Sequence, residues 1–430
     1  MLSVPAAGGI QPGSAPPPDT HAPEPALRSC IGSALATNPV LLASRAGVEA
    51  SRQRIPQVTA LPDPTVNLSQ AIRRLETRVG SRTGGVTVTQ ALPWFGVREL
   101  RGRVALSEAS ARGLLHRAEE REVIVRIKRT FYDLAYVDAA IRILDEEQSL
   151  LGHYETLAGA RYATGQGLQH AVIRLQAELA QISHQRQQLV GRRRALGARL
   201  NTLCGHAPEA PVPSVAPIAL PSVHRDRALL LALGERNRQE LRAAAALVSA
   251  GEESVELAAT SFRPRITASL AFVNIAARDP GDVAGPLPPD EGKNSLSLSV
   301  GVSLPVWKES YRAAVEEAGH QLTARRRQLE AARDAMEDAV EEALIRLETL
   351  EEQIALLDGV LIPQSEETLH ATEAAYQTGE VGVLELLDGE RVQLEVRRMR
   401  ARYVSDFLIA LADLERGVGV RVPSGDGRTS

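Results

Sequence analysis

An internal duplication restricts the fold of this chain more than any other feature of its sequence. The segment ARYATGQG at residues 160–167 recurs as AAYQTGEVG at residues 374–382, at an offset of 214 residues. The segment TQALPWFG at residues 89–96 likewise resembles VSLPVWKE at residues 302–309. Such self-similarity indicates two copies of one structural unit. Each copy is predicted to contain a helix, two strands joined by a turn, a long helix, a second turn and a returning helix.

The distribution of proline predicts the boundaries of the two copies. Residues 206–222 contain five prolines and form the predicted linker between a first repeat at residues 28–205 and a second repeat at residues 223–420. Residues 1–27 contain seven prolines and no apolar run, so we expect a disordered lead-in there. Residues 421–430 are expected to form a C-terminal tail.

Four segments alternate between apolar side chains and small or polar ones, the period expected of a strand. They are predicted as strands at about residues 64–72, 84–93, 265–275 and 295–305. In the last of them every second residue from Leu296 to Leu304 is apolar, and the residues between are serine or glycine. An ordinary half-buried antiparallel sheet would show this pattern. Strands of about ten residues can also cross a bilayer at a tilt.

Two long helices are predicted at residues 98–163 and 308–377, because proline is absent from the first and occurs only at Pro363 in the second. Each would be about 100 Å long at a rise of about 1.5 Å per residue. In the second helix, apolar residues recur every seven positions from Val315 to Leu357. This repeat is typical of coiled coils.

A tight turn is predicted after each long helix. Gly165 and Gly379 stand where a left-handed residue commonly ends a helix. The chain would then return along helices at residues 168–204 and 381–418, which makes each repeat a helical hairpin.

The composition excludes several classes of function. Aromatic residues make up 3% of the chain, and its apolar residues are mostly alanine, leucine and valine, as in long helices rather than compact enzymes. The net charge of -4 gives no sign of a nucleic-acid partner. No P-loop, HExxH or GxSxG motif and no Cys/His cluster is present, so we expect no enzyme, no cofactor and no metal site. Cys30 and Cys204 are too far apart for a CxxC pair, and a disulfide between them stays open.

The strands are the only segments suited to membrane contact, because no run of 18 apolar residues is present. Four strands cannot close on themselves in lipid, where unpaired edge groups cost several kcal/mol each, so such a chain must oligomerise. In this interpretation Pro93 and Pro305 end strands, and Trp94, Phe95 and Trp307 mark the level where strand gives way to helix. Aromatic residues that fill the corner of an ordinary core are the other interpretation.

The duplication, the two Tyr-x-x-Gly turns and the helix starts ATNP and GERN resemble those of the TolC-like outer-membrane efflux proteins, over about residues 28–420. The segments TALPDPTVNL and VTQALPWFGVRELRG further resemble the heavy-metal efflux branch, which includes CzcC-like and CusC-like members. The resemblance implies a mainly α fold with a small β part, in which long antiparallel coiled-coil helices accompany four transmembrane strands per chain. Three chains would form a 12-stranded barrel that continues as an α-helical tunnel.

The resemblance also implies a function. The chain would be a passive conduit from periplasm to exterior in the outer membrane of a Gram-negative cell, with its helical part in the periplasm. Its expected partners are two further copies in a homotrimer, a periplasmic adaptor (membrane fusion) protein, an inner-membrane pump of the RND type and outer-membrane lipid. Heavy-metal cations are the expected cargo.

Two acidic residues match the pore constriction of the family. There the narrowest ring is formed by acidic residues six and nine positions after the turn glycine of the second repeat, which here are Glu385 and Asp388. A spacing of three places both on one helix face, and repulsion within a ring would raise their pKa values. The first repeat has Ala171 and Arg174 at these positions. Two solvated acids on an exposed helix are the other interpretation.

The resemblance assigns gating and adaptor contact to the two turns. Tyr376 matches a tyrosine that helps to latch the closed tip through hydrogen bonds. The basic partner expected two residues after the turn glycine is replaced by Val381. The adaptor is expected to contact the first turn as far as Leu168 and the second as far as Val383.

Two alternatives stay open. One is a multidrug efflux or type I secretion channel of the same fold, since a conduit passes whatever its pump delivers. The other is a soluble coiled-coil scaffold with small surface sheets. The low aromatic content favours the scaffold, because membrane barrels usually carry aromatic girdles.

Overall fold

The computed structural model describes residues 25–278 and 286–423. Most of these residues are helical, and the remainder include one four-stranded sheet. The first helix begins at Pro25, inside the expected lead-in. The rest of the lead-in, the last seven residues of the tail and part of the loop before the fourth strand lie outside the described residues.

The elements of the two repeats follow one another in the same order. The first repeat comprises α1 (Pro25–Thr37), α2 (Pro39–Thr59), β1 (Thr65–Thr77), β2 (Gly80–Leu92), α3 (Val97–Ala163) and α4 (Gln169–Cys204). The second comprises α5 (Arg227–Asn237), α6 (Gln239–Ala259), β3 (Arg265–Ala276), β4 (Ser295–Ser303), α7 (Lys308–Leu356), α8 (Ile362–Thr378) and α9 (Val383–Val418). The duplication in the sequence is therefore a duplication in the fold.

Two helices, rather than the single one expected, precede the strands of each repeat. In the first repeat the side chain of Asn38 accepts a hydrogen bond of 2.9 Å from the backbone N–H of Val40, and Pro39 opens α2. Both residues favour a helix start, so they separate α2 from α1. In the second repeat Arg238 is extended and divides α5 from α6.

The first two strands are longer than expected and meet in a tight hairpin. Their pairing extends to Thr77 opposite Gly80, with a register shift between Gln70 and Leu75. The alternation stops at Arg73 and Arg74, but backbone hydrogen bonds continue the ladder beyond them.

The sheet joins the two repeats, because its order is β1-β2-β3-β4 and every neighbouring pair is antiparallel. Rows of apolar residues cross one face of it, namely Leu68, Val86, Phe272 and Leu296, and next to them Val66, Val88, Leu270 and Leu298. All eight side chains are exposed. The opposite face carries Asn67, Thr87, Ala271 and Ser297. A continuous apolar face of this kind indicates a surface that is covered by lipid or by another chain.

The long helices pack side by side around three buried apolar clusters. One cluster near the turns joins α3, α4, α8 and α9, a second joins α5, α6, α7 and α9, and a third joins α1, α2, α3 and α4. Their most buried members include Leu144, Leu151, Leu175, Leu386, Met336, Leu347, Leu414, Ile127 and Leu134. Within the described ranges, no helix combines the length and the apolar composition needed to cross a membrane.

The second long helix is interrupted, whereas residues 308–377 were expected to be continuous. A π-helical turn, Leu357–Leu361, separates α7 from α8 just before Pro363. Proline has no backbone N–H and its ring crowds the preceding turn, so the helix widens there instead of continuing regularly. The expected heptad is partly buried from Val315 to Leu329 and buried from Met336 to Leu357, but Leu361 of the flanking row is exposed.

The proline-rich linker is fastened to the first repeat. The backbone N–H of Val215 donates to Asp138 of α3 over 2.9 Å, and Arg142 donates to the Val215 carbonyl over 3.1 Å. Arg193 of α4 donates to the other oxygen of Asp138 over 2.6 Å. This buried network holds the crossover between the repeats against α3 and α4.

Cys30 and Cys204 form a disulfide that joins α1 to the end of α4, with their Cα atoms 5.1 Å apart. This separation lies in the usual range for a disulfide. The corresponding positions of the second repeat are Leu230 and Val418, which are buried in one apolar cluster. An apolar contact in one repeat thus takes the place of a covalent bond in the other.

Candidate functional site

Each repeat passes from strand to helix within four residues, 93–96 in the first and 304–307 in the second. Pro93 directly follows β2, and Pro305 lies two residues beyond β4. The rings of Trp94 and Phe95 meet edge to face, with their centroids 6.1 Å apart. Phe95 is 87% exposed and Trp307 is 79% exposed. In the single chain these two rings lie on the surface and do not fill a corner of the core.

The two helical hairpins end in turns with the same backbone hydrogen bonds. The N–H of Gly165 donates to the carbonyl of Tyr162 over 3.0 Å, and the N–H of Gly379 donates to that of Tyr376 over 3.1 Å. The next residue in each turn donates to the carbonyl one position further back, over 2.9 Å and 2.8 Å. Both glycines are left-handed, with φ of 74° and 85°. Each turn is therefore a Schellman-type helix end that requires glycine for its backbone angle.

A single arginine joins the two turns, which we call the first and second tips. The guanidinium of Arg161, in the last turn of α3, donates to the backbone carbonyls of Tyr376 and Gln377 over 2.9 Å and 2.6 Å. It also lies 5.1 Å from the centre of the Tyr376 ring. The cation thus occupies the carbonyl end of α8, where the helix dipole favours positive charge. Arg161 comes from the other hairpin, not from position 381, where the family pattern places a basic residue.

Tyr376 is buried between the hairpins. Its ring packs edge to face on Tyr154 of α3, with centroids 6.0 Å apart at 87°. Burial raises the pKa of the Tyr376 phenol, and Arg161 opposes that shift. Among the described residues of one chain, the phenolic oxygen of Tyr376 has no hydrogen-bond partner. Tyr376 therefore contacts the first hairpin through its aromatic ring and through its backbone carbonyl.

Glu385 and Asp388 are both exposed on the first two turns of α9. The opposite face of the same helix is buried through Val383, Leu386 and Leu387. Asp388 lies 3.9 Å from the guanidinium of Arg391, whose closer partner is Glu178 of α4 at 2.5 Å. The two acids thus form a polar face whose direction is set by the packing behind it.

The tips expose different side chains to solvent. Leu168 at the end of the first tip is 67% exposed, and Tyr162 beside it is also exposed. In the second tip Val381 is partly buried and Val383 is buried. The first tip therefore offers an apolar contact, whereas the second offers mainly backbone and acidic groups.

Sequence reasoning missed three residues of this region. Arg161 could have been found by comparing the two repeats, because the otherwise similar turn of the second repeat has Ala375 at the matching position. Glu147 and Glu390 could not, because charged residues are usually solvated and nothing in the local sequence marks these two as buried. Over the part of the chain that the structure describes, no three His, Cys, Asp or Glu side chains are grouped to hold a metal ion.

Comparisons with known proteins agree with this architecture. Residues 30–205 and 230–420 match the family model described as outer membrane efflux protein. No curated protein matches the sequence at a significant level. The outer-membrane channel OprN is 20% identical, with a TM-score of 0.77 and coverage of 92% of this chain and 90% of that chain. CusC, whose structures concern folding and transmembrane channel formation, is 17% identical, with a TM-score of 0.78 and coverage of 92% of both chains. The outer membrane protein VceC from Vibrio cholerae is 18% identical, with a TM-score of 0.74 and coverage of 92% and 96%.

Proposed function

The chain belongs to the outer membrane efflux protein family, and we propose that it is the outer-membrane conduit for heavy-metal cations in a tripartite efflux system. It is an efflux channel of the outer membrane and not an enzyme. Channels of this family are trimers that work with an adaptor and an inner-membrane pump. Family membership removes the alternative of a soluble coiled-coil scaffold.

The exposed acidic face of α9 carries the proposal. Glu385 and Asp388 lie beside the second tip, and the buried face behind them fixes their direction. We expect three chains to place these carboxylates around the axis as a ring. A ring of carboxylates attracts cations and repels anions, as in cation-selective pores.

The proposed partners follow from the exposed surfaces. The apolar face of the four strands suits outer-membrane lipid, and three such sheets would form a 12-stranded barrel. Trp94, Phe95 and Trp307 would lie at the periplasmic end of that barrel, where the strands give way to the helices. The two tips, with Leu168 exposed on the first, are the proposed contact for the adaptor. An RND-type pump and a heavy-metal cargo are proposed from the resemblance to the heavy-metal branch.

The acidic ring is tested by recording from purified trimers in planar bilayers. Replacing Glu385→Ala together with Asp388→Ala should lower the ratio of cation to anion permeability about tenfold or more, because the charge at the narrowest point is lost. The control replaces Glu366→Ala and Glu367→Ala, two exposed acids of α8. Equal selectivity of the wild type and the first variant, or an equal loss in the control, would contradict the ring.

The cargo is tested by resistance. The chain would be expressed with its pump and adaptor in a host that lacks its own efflux channels, and growth measured in copper, silver, zinc and cadmium salts and in drugs. We expect protection against at least one metal salt and not against drugs. Protection against drugs alone would support the multidrug alternative.

A further inference from the structure

Two carboxyl groups lie together in the helical core above the tips. Glu147 of α3 is 7% exposed and Glu390 of α9 is 1% exposed. Leu144, Leu151 and Leu386, each one turn away from one of them, are fully buried. This environment removes water from both carboxyls within a single chain, so their burial does not depend on assembly.

Glu390 lacks a donor that its charged form would need. Neither of its carboxylate oxygens has a hydrogen-bond partner among the described residues. A buried carboxylate without a partner is strongly disfavoured. A proton held between the two carboxyls removes the problem, because Glu390 then donates a hydrogen bond and Glu147 accepts it.

The arginines near the pair are already bonded to other carboxylates. The titratable and charged groups that interact with the pair are Tyr154 of α3, Glu178 of α4, Glu373 of α8 and Arg397 of α9, and Arg391 follows Glu390 in the chain. Arg391 is bonded to Glu178 over 2.5 Å, and Arg397 to Glu146 over 2.5 Å. The Tyr154 hydroxyl donates to Glu373. Acidic groups thus exceed basic ones, and both arginines are already engaged.

The electrostatic consequences have the same sign at both carboxyls. Burial raises the pKa of Glu390, and the nearby carboxylates of Glu147 and Glu373 raise it further. Burial also raises the pKa of Glu147, although a proton shared with Glu390 and the charge of Arg397 oppose the shift. The pair therefore titrates as a unit above the ordinary range of glutamic acid, which is about 4.3.

We propose that Glu147 and Glu390 share one proton that holds α3 against α9, and that loss of this proton loosens the contact and opens the tips. The proton site stands on the packing alone, whereas the opening rests on the proposed channel function. A group whose pKa is raised in the packed state stabilises that state fully below its ordinary pKa and loses the effect as pH rises through the raised value. The tips are thus most firmly closed in acid and loosen in alkali.

The proton itself is tested by infrared titration of the full chain. The wild type should show the C=O stretching band of a protonated carboxyl at neutral pH, and the band should disappear as the pH is raised to about 9, well above the glutamic acid range. Glu390→Gln should lack the band. Glu395→Gln, which removes an exposed acid of the same helix, should keep it. A wild type without the band at neutral pH, or a Glu390→Gln variant that keeps it, would overturn the shared proton.

The loosening is tested by hydrogen exchange of the α9 amides around Glu390, corrected for the intrinsic effect of pH on exchange. Between about pH 6 and pH 9 we expect an acceleration of at least about tenfold in the wild type, because each unit by which packing raises the pKa changes the opening equilibrium tenfold. The double variant Glu147→Gln with Glu390→Gln should change less than about twofold, since it has no proton to lose. Equal acceleration in both proteins would overturn the coupling.

Conductance separates this proposal from the channel function. In planar bilayers the wild type should open more often at alkaline pH, and the double variant should not respond. If wild type and variants conduct at no pH, the channel function fails while the infrared and exchange results keep the proton site. If conductance is constant while the infrared band is lost, the proposed opening is overturned and the channel function stands.

Discussion

The two tips share a backbone and differ in what their side chains do. Gly165 and Gly379 close the same hydrogen-bonded turn with nearly the same φ. The first tip contributes Arg161, which reaches across to the second, and the second contributes the carbonyl of Tyr376 that receives it. The acidic face formed by Glu385 and Asp388 belongs to the second hairpin alone.

The two copies of the duplicated unit keep one backbone and carry different side-chain functions. The turn depends on backbone angles and one glycine, so it survives while the neighbouring side chains change. The last turn of α3 carries Arg161 where α8 has Ala375, and α4 has Ala171 and Arg174 where α9 has two acids. The first hairpin donates the hydrogen bonds of Arg161. The second hairpin accepts them and carries the acidic face that is proposed to line the pore.

The largest expected effect comes from breaking what the tips share. Gly165→Pro or Gly379→Pro forces φ to about −65° and removes the N–H that bonds Tyr162 or Tyr376, at a cost of about 3 kcal/mol or more at the turn. Resistance conferred with the pump should fall to that of cells lacking the gene, while trimers still assemble on native gels. Growth in graded concentrations of cargo measures the loss.

A glycine inside α3 provides the control for this change. A Cβ at Gly152 would meet no atom within 4 Å, so Gly152→Ala should leave resistance unchanged. Full resistance in both proline variants would remove the tips from the proposed adaptor contact.

A smaller effect is expected from removing the contact of Arg161 with the second tip. Arg161→Met keeps the aliphatic stem but loses two hydrogen bonds and the contact with the Tyr376 ring, which we estimate at about 1–3 kcal/mol. The open fraction of single channels should rise about tenfold or more, since about 1.4 kcal/mol is one factor of ten. Arg174→Met removes an equal charge from the exposed surface of the same hairpin and should not change the open fraction. An unchanged open fraction in Arg161→Met would show that the contact does not hold the tips.

The smallest effect is expected from removing the hydroxyl of Tyr376 in the second tip. Tyr376→Phe keeps the packing on Tyr154 and the stacking of Arg161, so the open fraction should stay within about twofold of the wild type, a change below about 0.5 kcal/mol. Tyr376→Ala, which removes the ring, should open the channel more than Tyr376→Phe. A permanently open Tyr376→Phe channel would show that the hydroxyl forms a latch between chains.

Periodic patterns made the framework predictable from the sequence. The alternation from Leu296 to Leu304 places one face of β4 outward, and the heptad from Val315 to Leu357 predicts most of the packing of α7. These signals are strong because every period repeats the same burial requirement. They stop where side chains no longer decide the structure, as at Arg73 and Arg74 within β1.

The contacts between the two hairpins could not be predicted from periodic patterns in the sequence. Arg161 and Tyr376 are 215 residues apart, and their meeting depends on how α3 lies beside α8. The burial of Glu390 likewise depends on the face that α9 turns toward α3. Local patterns indicate which face of a helix is apolar but not which partner covers it. The spacing of Glu385 and Asp388 predicts that they share a helix face, whereas their place in a pore comes from the family resemblance and stays a prediction.

The disulfide between Cys30 and Cys204 has a consequence for the order of events during biosynthesis. It closes a covalent ring wholly inside the first repeat, and no residue of the second repeat takes part. A chain exported from its amino terminus can therefore complete this ring in an oxidising compartment before its second half has arrived. The strand β2 then presents a free edge, to which β3 adds. The first repeat could therefore fold before the second repeat, and its strand β2 would then provide the edge on which the second repeat folds.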